Sequence, residues 1–163
     1  MINILDADLH NPVHASALLL LLNQYACDPM GGSAQLSDYA QANLIDQLRQ
    51  RRNVRAVLAF VDEAPAGLAI CIEGFSTFAC KPLLNIHDLA VSEQFRGMGI
   101  GKRLIERVAQ IALSLDCCKI TLEVLQGNHA AQALYKSCGF AGYALDPKMG
   151  TAVFLQRKLR LDL

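Results

Sequence analysis

Three glycines in seven residues, Arg96-Gly97-Met98-Gly99-Ile100-Gly101-Lys102, follow a β-branched and apolar run that ends at Val91 and precede an amphipathic one. A strand that feeds a helix through such a loop aims successive N–H groups, which lack partners in the first helical turn, at one point, and anions bind there. Glycine at 97, 99 and 101 permits unusual backbone angles and lets a ligand approach the main chain without meeting a Cβ. Arg96 and Lys102 add positive charge, so a phosphate or diphosphate is the expected guest. Two common phosphate loops are excluded: a Walker loop needs Ser or Thr after the lysine, where Arg103 stands, and the dinucleotide fingerprint needs glycine at 102. In isolation the same loop would also serve as a close-packing connection between strand and helix.

The elements that must position this loop are readable from periodicity. Ile2 and Ile4 begin a short first strand, and Asn11-Pro12 reads as N-cap and first turn of a helix over Val13 to Tyr25. Pro29-Met30-Gly31-Gly32 breaks the chain, and Ser37 caps a second helix running to about Gln50. Val54 to Val61 and Gly67 to Phe75 form a hairpin across Asp62-Glu63-Ala64-Pro65, and Leu83 to Val91 makes a third strand of the group. Gly99 to Leu115 is the clearest helix, with Leu104, Ile105, Val108, Ile111, Ala112 and Leu115 on one face. Ile120 to Leu125 is the next strand. Asn128 caps a helix from His129 to Ser137 that Gly139 ends, and strands near Phe140 to Leu145 and Thr151 to Lys158 complete the chain. With no linker or repeat, this is one mixed α/β domain over residues 1–163.

Composition narrows the partners. The 163 residues are 53% hydrophobic and 18% charged, which suits one folded core. Fifteen basic residues balance fifteen acidic ones, so no global field draws the chain to nucleic acid or an anionic membrane. The strictly apolar run Ala17 to Leu22, which none exceeds, is far short of the about 20 residues that span a bilayer. Asp6 and Asp8 precede it where a signal peptide would be basic, and a cytoplasmic location is expected. The face from Leu18 to Leu22 serves core packing, with a homodimer contact as the alternative use. The six cysteines show no zinc-like spacing, and most are expected to be reduced and buried. His10 and His14 lie one helical turn apart with nothing nearby to complete a metal site, so no metal is expected.

The loop and its surroundings resemble the GNAT superfamily of N-acetyltransferases, whose signature is Arg or Gln, two residues, Gly, one residue, then Gly or Ala. Arg96, Gly99 and Gly101 match it, and downstream Asn128, Tyr135 and Gly139-Phe140 match a second family motif in order. The resemblance spans about residues 54 to 158. It implies a single central, mostly antiparallel mixed sheet of about six to seven strands flanked by about four helices. A splayed, V-shaped cleft would open between the strands near 83–91 and 118–125. It implies further that the main chain of Arg96, Gly97, Met98, Gly99, Ile100, Gly101 and Lys102 binds the pyrophosphate of acetyl-CoA. Leu89, Ala90 and Val91 would pair with the pantetheine arm, and Asn128 and Ala131 would contact the cofactor. A closer resemblance, to diamine and polyamine acetyltransferases, rests on Phe75-Ser76-Thr77-Phe78, Lys81-Pro82 and Asp88-Leu89-Ala90-Val91. Those relatives usually carry an acidic residue where His87 stands.

The reaction so implied moves an acetyl group from acetyl-CoA to a primary amine of a small molecule, by direct transfer in a ternary complex. A protein or peptide acceptor, or a non-catalytic acetyl-CoA-binding module, is the alternative. A free alkylamine has a pKa of about 10.4, so a group must take its proton before attack. His87 suits that task because imidazole titrates near neutrality; Glu73, Asp88 or Glu123 acting through a water could serve instead. The same three carboxylates are candidates to attract the cationic substrate. In a regular strand His87 and Asp88 point to opposite faces, so both reach one cleft only if a bulge intervenes. The resemblance makes Tyr135 the general acid for the departing thiolate, and the N–H of Leu89 would stabilise the oxyanion.

Overall fold

The computed structural model describes residues 1–143 and 146–159. In chain order the elements are β1 (Ile2–Asp6), α1 (Pro12–Cys27), α2 (Asp38–Arg49), β2 (Val54–Val61), β3 (Ala64–Ser76), β4 (Lys81–Val91), α3 (Ile100–Ser114), β5 (Ile120–Leu122) and α4 (His129–Ser137). Single 3-10 turns lie at Glu93–Phe95 and Pro147–Met149. The chain divides after Leu122 into two compact units.

In the first unit the strands form one sheet in the order β1-β2-β3-β4-β5. The first four pair antiparallel and β5 joins β4 parallel. Parallel pairing cannot be closed by a tight turn, and α3 supplies the crossover. Asp62 and Glu63 both take positive φ, 46° and 71°, making the two-residue reversal whose twist suits a β-hairpin. Both expected caps are present: Asn11 accepts from the Val13 N–H at 2.9 Å and Ser37 from the Ala40 N–H at 3.2 Å.

Strand alternation divides the core. Leu58, Phe60, Leu68 and Ile70 pack with Ala17, Leu18 and Leu21 of α1, backed by Leu44, Ile45 and Leu48 of α2. Their neighbours Val57, Ala59, Ala69 and Cys71 take the other face, where α3 packs with Ile100, Leu104, Val108 and Ala112 buried. A Cβ at Gly67 would lie 2.9 Å from the Ala90 carbonyl oxygen and 3.2 Å from both Ile100 and Leu104, so this glycine lets the start of α3 sit tightly on β3. Leu18 and Leu21 serve the core while Leu20 is exposed.

Two expectations are corrected. Among the described residues the sheet has five strands rather than six to seven: β5 stops at Leu122, and neither Phe140–Tyr143 nor Thr151–Lys158 is strand. Ala144 and Leu145, the rest of the first of these, lie outside the described residues. Both segments have strand-like composition, but a strand exists only through a ladder partner, and Val153, Phe154 and Leu155 are all exposed. The cysteines are mostly not core: only Cys71 is buried, and Cys27, Cys80 and Cys118 are exposed. Their positions at a helix end and in turns account for this. His14 accepts from the Asp8 N–H at 3.1 Å through Nδ1 and lies against Phe60, ring centroids 6.2 Å apart.

Candidate active site

The site is built on β4. Its register with β3 runs evenly from Ser76–Lys81 to Cys71–Ile86 and then jumps to Ile70–Asp88, leaving His87 as the extra residue of a β-bulge. The bulge breaks strict alternation between His87 and Asp88, the condition for the two to act together. They interact electrostatically: burial pushes the Asp88 carboxyl above the usual carboxylate range, and the neighbouring His87 partly offsets this. His87 itself is exposed and Asp88 half-buried. On the other edge, β4 pairs with β5 only from Leu84 to Ile86. From His87 to Val91 that edge has no strand partner among the described residues.

The strand delivers the chain to the glycine loop. Gly97 and Gly99 take φ of 81° and 77°, left-handed values that L side chains rarely adopt, and a Cβ at either would meet nothing within 4 Å. The space over the loop is therefore open. Gly99 is the N-cap of α3 and brings no side-chain cap, so the first N–H groups of a 15-residue helix keep their donors for a ligand. The donor set is main-chain amides at a helix N-terminus, which fits a diphosphate. Arg96 places its side chain elsewhere: Nη2 donates to Asp28 Oδ2 at 2.8 Å and Nε to the Val91 carbonyl at 3.2 Å.

In the second unit, α4 carries the downstream motif. Asn128 is its N-cap and accepts from the Ala131 N–H at 3.1 Å. At the other end, Phe140 N–H donates to the Tyr135 carbonyl at 3.0 Å and Gly139 N–H to that of Lys136 at 3.1 Å, with Gly139 at φ 88°. This is a Schellman cap, in which the apolar residue after the glycine packs back on the last turn. Here Phe140 meets Tyr135 edge-on, ring centroids 5.9 Å apart. The Gly-Phe pair thus orients the half-buried tyrosine.

Glu73, within the first unit, lies apart from the bulge. Glu73 sits three residues along β3 from Ile70, the partner of Asp88, which is about 10 Å at about 3.3 Å per residue. Its carboxylate faces Arg55 at 3.8 Å. Glu123 follows β5 and is exposed. Two residues escaped sequence reasoning. Tyr25, in the last turn of α1, has a phenol pushed up by burial and then by the charges of Asp88 and Asp28. Asp28 has its carboxyl held below the usual range by the Met30 N–H and then by Arg96. The available signal was Asp28 preceding Pro29 and two glycines, a pattern for a side chain bonding its own turn.

Solved structures share the fold. A ribosomal-protein-alanine N-acetyltransferase from Brucella melitensis superposes with a TM-score of 0.72 at 22% identity, over 97% of this chain and all of that one. AAC(6')-Iy in complex with a CoA-linked bisubstrate analog gives 0.75 at 17% identity, over 97% and 99%. The sequence profile of the Acetyltransferase (GNAT) family matches residues 20–140, and the chain belongs to that family. It is an acetyl-CoA-dependent N-acetyltransferase. A thialysine N-epsilon-acetyltransferase of Caenorhabditis elegans is 28% identical over 79% of this chain and 78% of its own. A bovine enzyme of the same name is 41% identical over a shorter stretch, 34% of this chain and 33% of its own. No helix among the described residues is long and apolar enough to cross a membrane.

Proposed function

We propose that the chain acetylates a primary amine of a small molecule of the diamine or thialysine type, by direct transfer from acetyl-CoA. The observation that carries this reading is the bulge at His87, which sets an imidazole beside a desolvated carboxylate where β4 leaves β5. The thialysine acetyltransferase relatives support the acceptor class. Acetyl-CoA supplies an activated acyl group when bound. Main-chain N–H groups from Arg96 to Lys102 hold its diphosphate, the free edge of Leu89 to Val91 its pantetheine arm, and Asn128 and Ala131 mark a further contact.

Asp88 draws the ammonium form of the acceptor to the bulge, since pairing with a cation offsets the cost of ionising a half-buried carboxylate. His87 takes the proton, and the Leu89 N–H receives the developing oxyanion. Tyr135, held by Phe140, returns a proton to the departing thiolate. Glu73, paired with Arg55, and exposed Glu123 are weaker candidates for the cation. Direct transfer is favoured because Cys71, the thiol that feels the Asp88 charge, is buried with its pKa pushed up to about 12, so it stays protonated and is a poor nucleophile. The reading treats both units as parts of one N-acetyltransferase domain.

Release of free thiol from acetyl-CoA with a panel of diamines, thialysine, amino acids and peptides tests it. Turnover confined to peptides would move the acceptor class, and no turnover with any amine would leave only binding. Tyr135→Phe should keep coenzyme affinity and lower kcat by about 10²-fold; unchanged kcat removes Tyr135 from the mechanism.

A further inference from the structure

Arg96 opens the diphosphate loop, yet two of its donors turn back onto the protein, to the Val91 carbonyl and to Asp28 Oδ2. Asp28 organises the turn after α1. Its N–H donates to the Tyr25 carbonyl at 3.0 Å, and its own carbonyl accepts from the N–H groups of Gly31, Gly32 and Ser33 at 2.8, 3.1 and 3.1 Å. Its Oδ1 accepts from Met30 N–H at 2.8 Å, and Ala34 N–H closes the turn on the Ala26 carbonyl at 3.1 Å. One carboxylate therefore holds the turn with one oxygen and the end of β4 with the other. The Asp28 side chain is only 21% exposed, whereas Arg96 is 55% exposed, so the aspartate is the fixed partner and the arginine reaches to it. Helix α1 packs on β4, and its last turn carries Tyr25, within electrostatic reach of Asp88.

We propose that Arg96 and Asp28 are positioning residues for the acceptor. Their ion pair fixes the last turn of α1 and the segment after it against the end of β4, where the amine meets Asp88. The main chain of the loop serves the donor while the side chain of its first residue serves the acceptor. This division rests on the donor loop and acceptor position given under Proposed function. Its consequence is that neutralising either partner degrades recognition of the amine and leaves recognition of coenzyme A in place.

The test compares Arg96→Gln, Asp28→Asn and the double variant in the full chain. Asp28→Asn is isosteric and keeps an acceptor for Met30, so it isolates the charge. Each single variant should raise KM for the best amine about twofold to fivefold, the range of a partly exposed charged pair. The double variant should be no worse than the worse single one, as required of residues that act through each other. The dissociation constant for coenzyme A, measured by calorimetry, should move less than about twofold. Amide exchange at Gly31, Gly32 and Ser33 in the unliganded protein should quicken in both single variants. The proposal is overturned if Arg96→Gln weakens coenzyme binding while Asp28→Asn is silent, which would make Arg96 a phosphate ligand. Additive effects, or exchange that does not change, also overturn it. A wild-type chain that binds no coenzyme A would defeat the donor reading instead, and the exchange measurement would still decide the ion pair.

Discussion

Two aspartates bear on the phenol of Tyr25, and the protein treats them oppositely. At the turn after α1, Asp28 has its carboxyl held low by a main-chain N–H and a guanidinium. At the bulge in β4, Asp88 has its carboxyl pushed up by burial, with only the nearby His87 in opposition. The residue type is the same, and both charges reach one side chain. What differs is whether the backbone provides donors. A tight turn presents N–H groups to its own aspartate, whereas the bulge in β4 gives a desolvated carboxylate with an unmet demand for positive charge. The first arrangement stabilises structure; the second is poised to take up a cation.

The largest effect should come from the bulge. His87→Ala should lower kcat/KM for the amine by about 10²-fold and flatten the acid limb of the pH profile, because the variant has no side-chain base to lose by protonation. A pH–rate profile identical to that of the wild type would acquit His87 and pass the role to a carboxylate acting through water.

A middle-sized effect with a distinctive sign is expected at Asp88. An acid whose pKa is higher folded than unfolded binds more protons in the folded state between those two values, so stability falls as pH rises through that window and the cost persists above it. Asp88→Asn removes the cost. The variant should unfold at higher denaturant than wild type at pH 7 while its KM for the amine rises about tenfold, since a charged partner is lost. A variant that is less stable at pH 7 would show Asp88 to be a structural carboxylate like Asp28, and the contrast would collapse.

The contrast was only half legible in the sequence. His87, Asp88 and the need for a bulge between them could be read from alternation, because the rule they break is strict. The glycine loop, α3 and the span of α4 were legible for the same reason: periodicity, caps and positive-φ glycines are local. Asp28 was not, since its partner Arg96 lies 68 residues away and an arginine beside three glycines reads first as a phosphate group's neighbour. The late segments misled in the opposite way. Thr151 to Lys158 has strand propensity, but propensity specifies a strand only where an edge is available to pair. Phe140 belonged to a motif whose physical purpose, capping α4 and bracing Tyr135, becomes plain only from the hydrogen bonds at its end.

The smallest effect, at Asp28, completes the test of sign. A carboxylate whose pKa is depressed on folding contributes stability that is present above its unfolded value and lost as pH falls through the folded one. Asp28→Asn keeps the acceptor for Met30 but loses the charge facing Arg96. At pH 7 the variant should therefore be less stable, by about 0.5 kcal/mol for so exposed a pair, and the deficit should shrink at high salt. It should also vanish toward acid pH, where the wild-type carboxyl is protonated in both states. Denaturant midpoints measured at several pH values for both aspartate variants then decide the matter together. Opposite shifts at pH 7, Asp88→Asn upward and Asp28→Asn downward, are what backbone donors at one aspartate and burial at the other require. Shifts in the same direction would mean that their shared neighbour Tyr25, and not their separate surroundings, governs both.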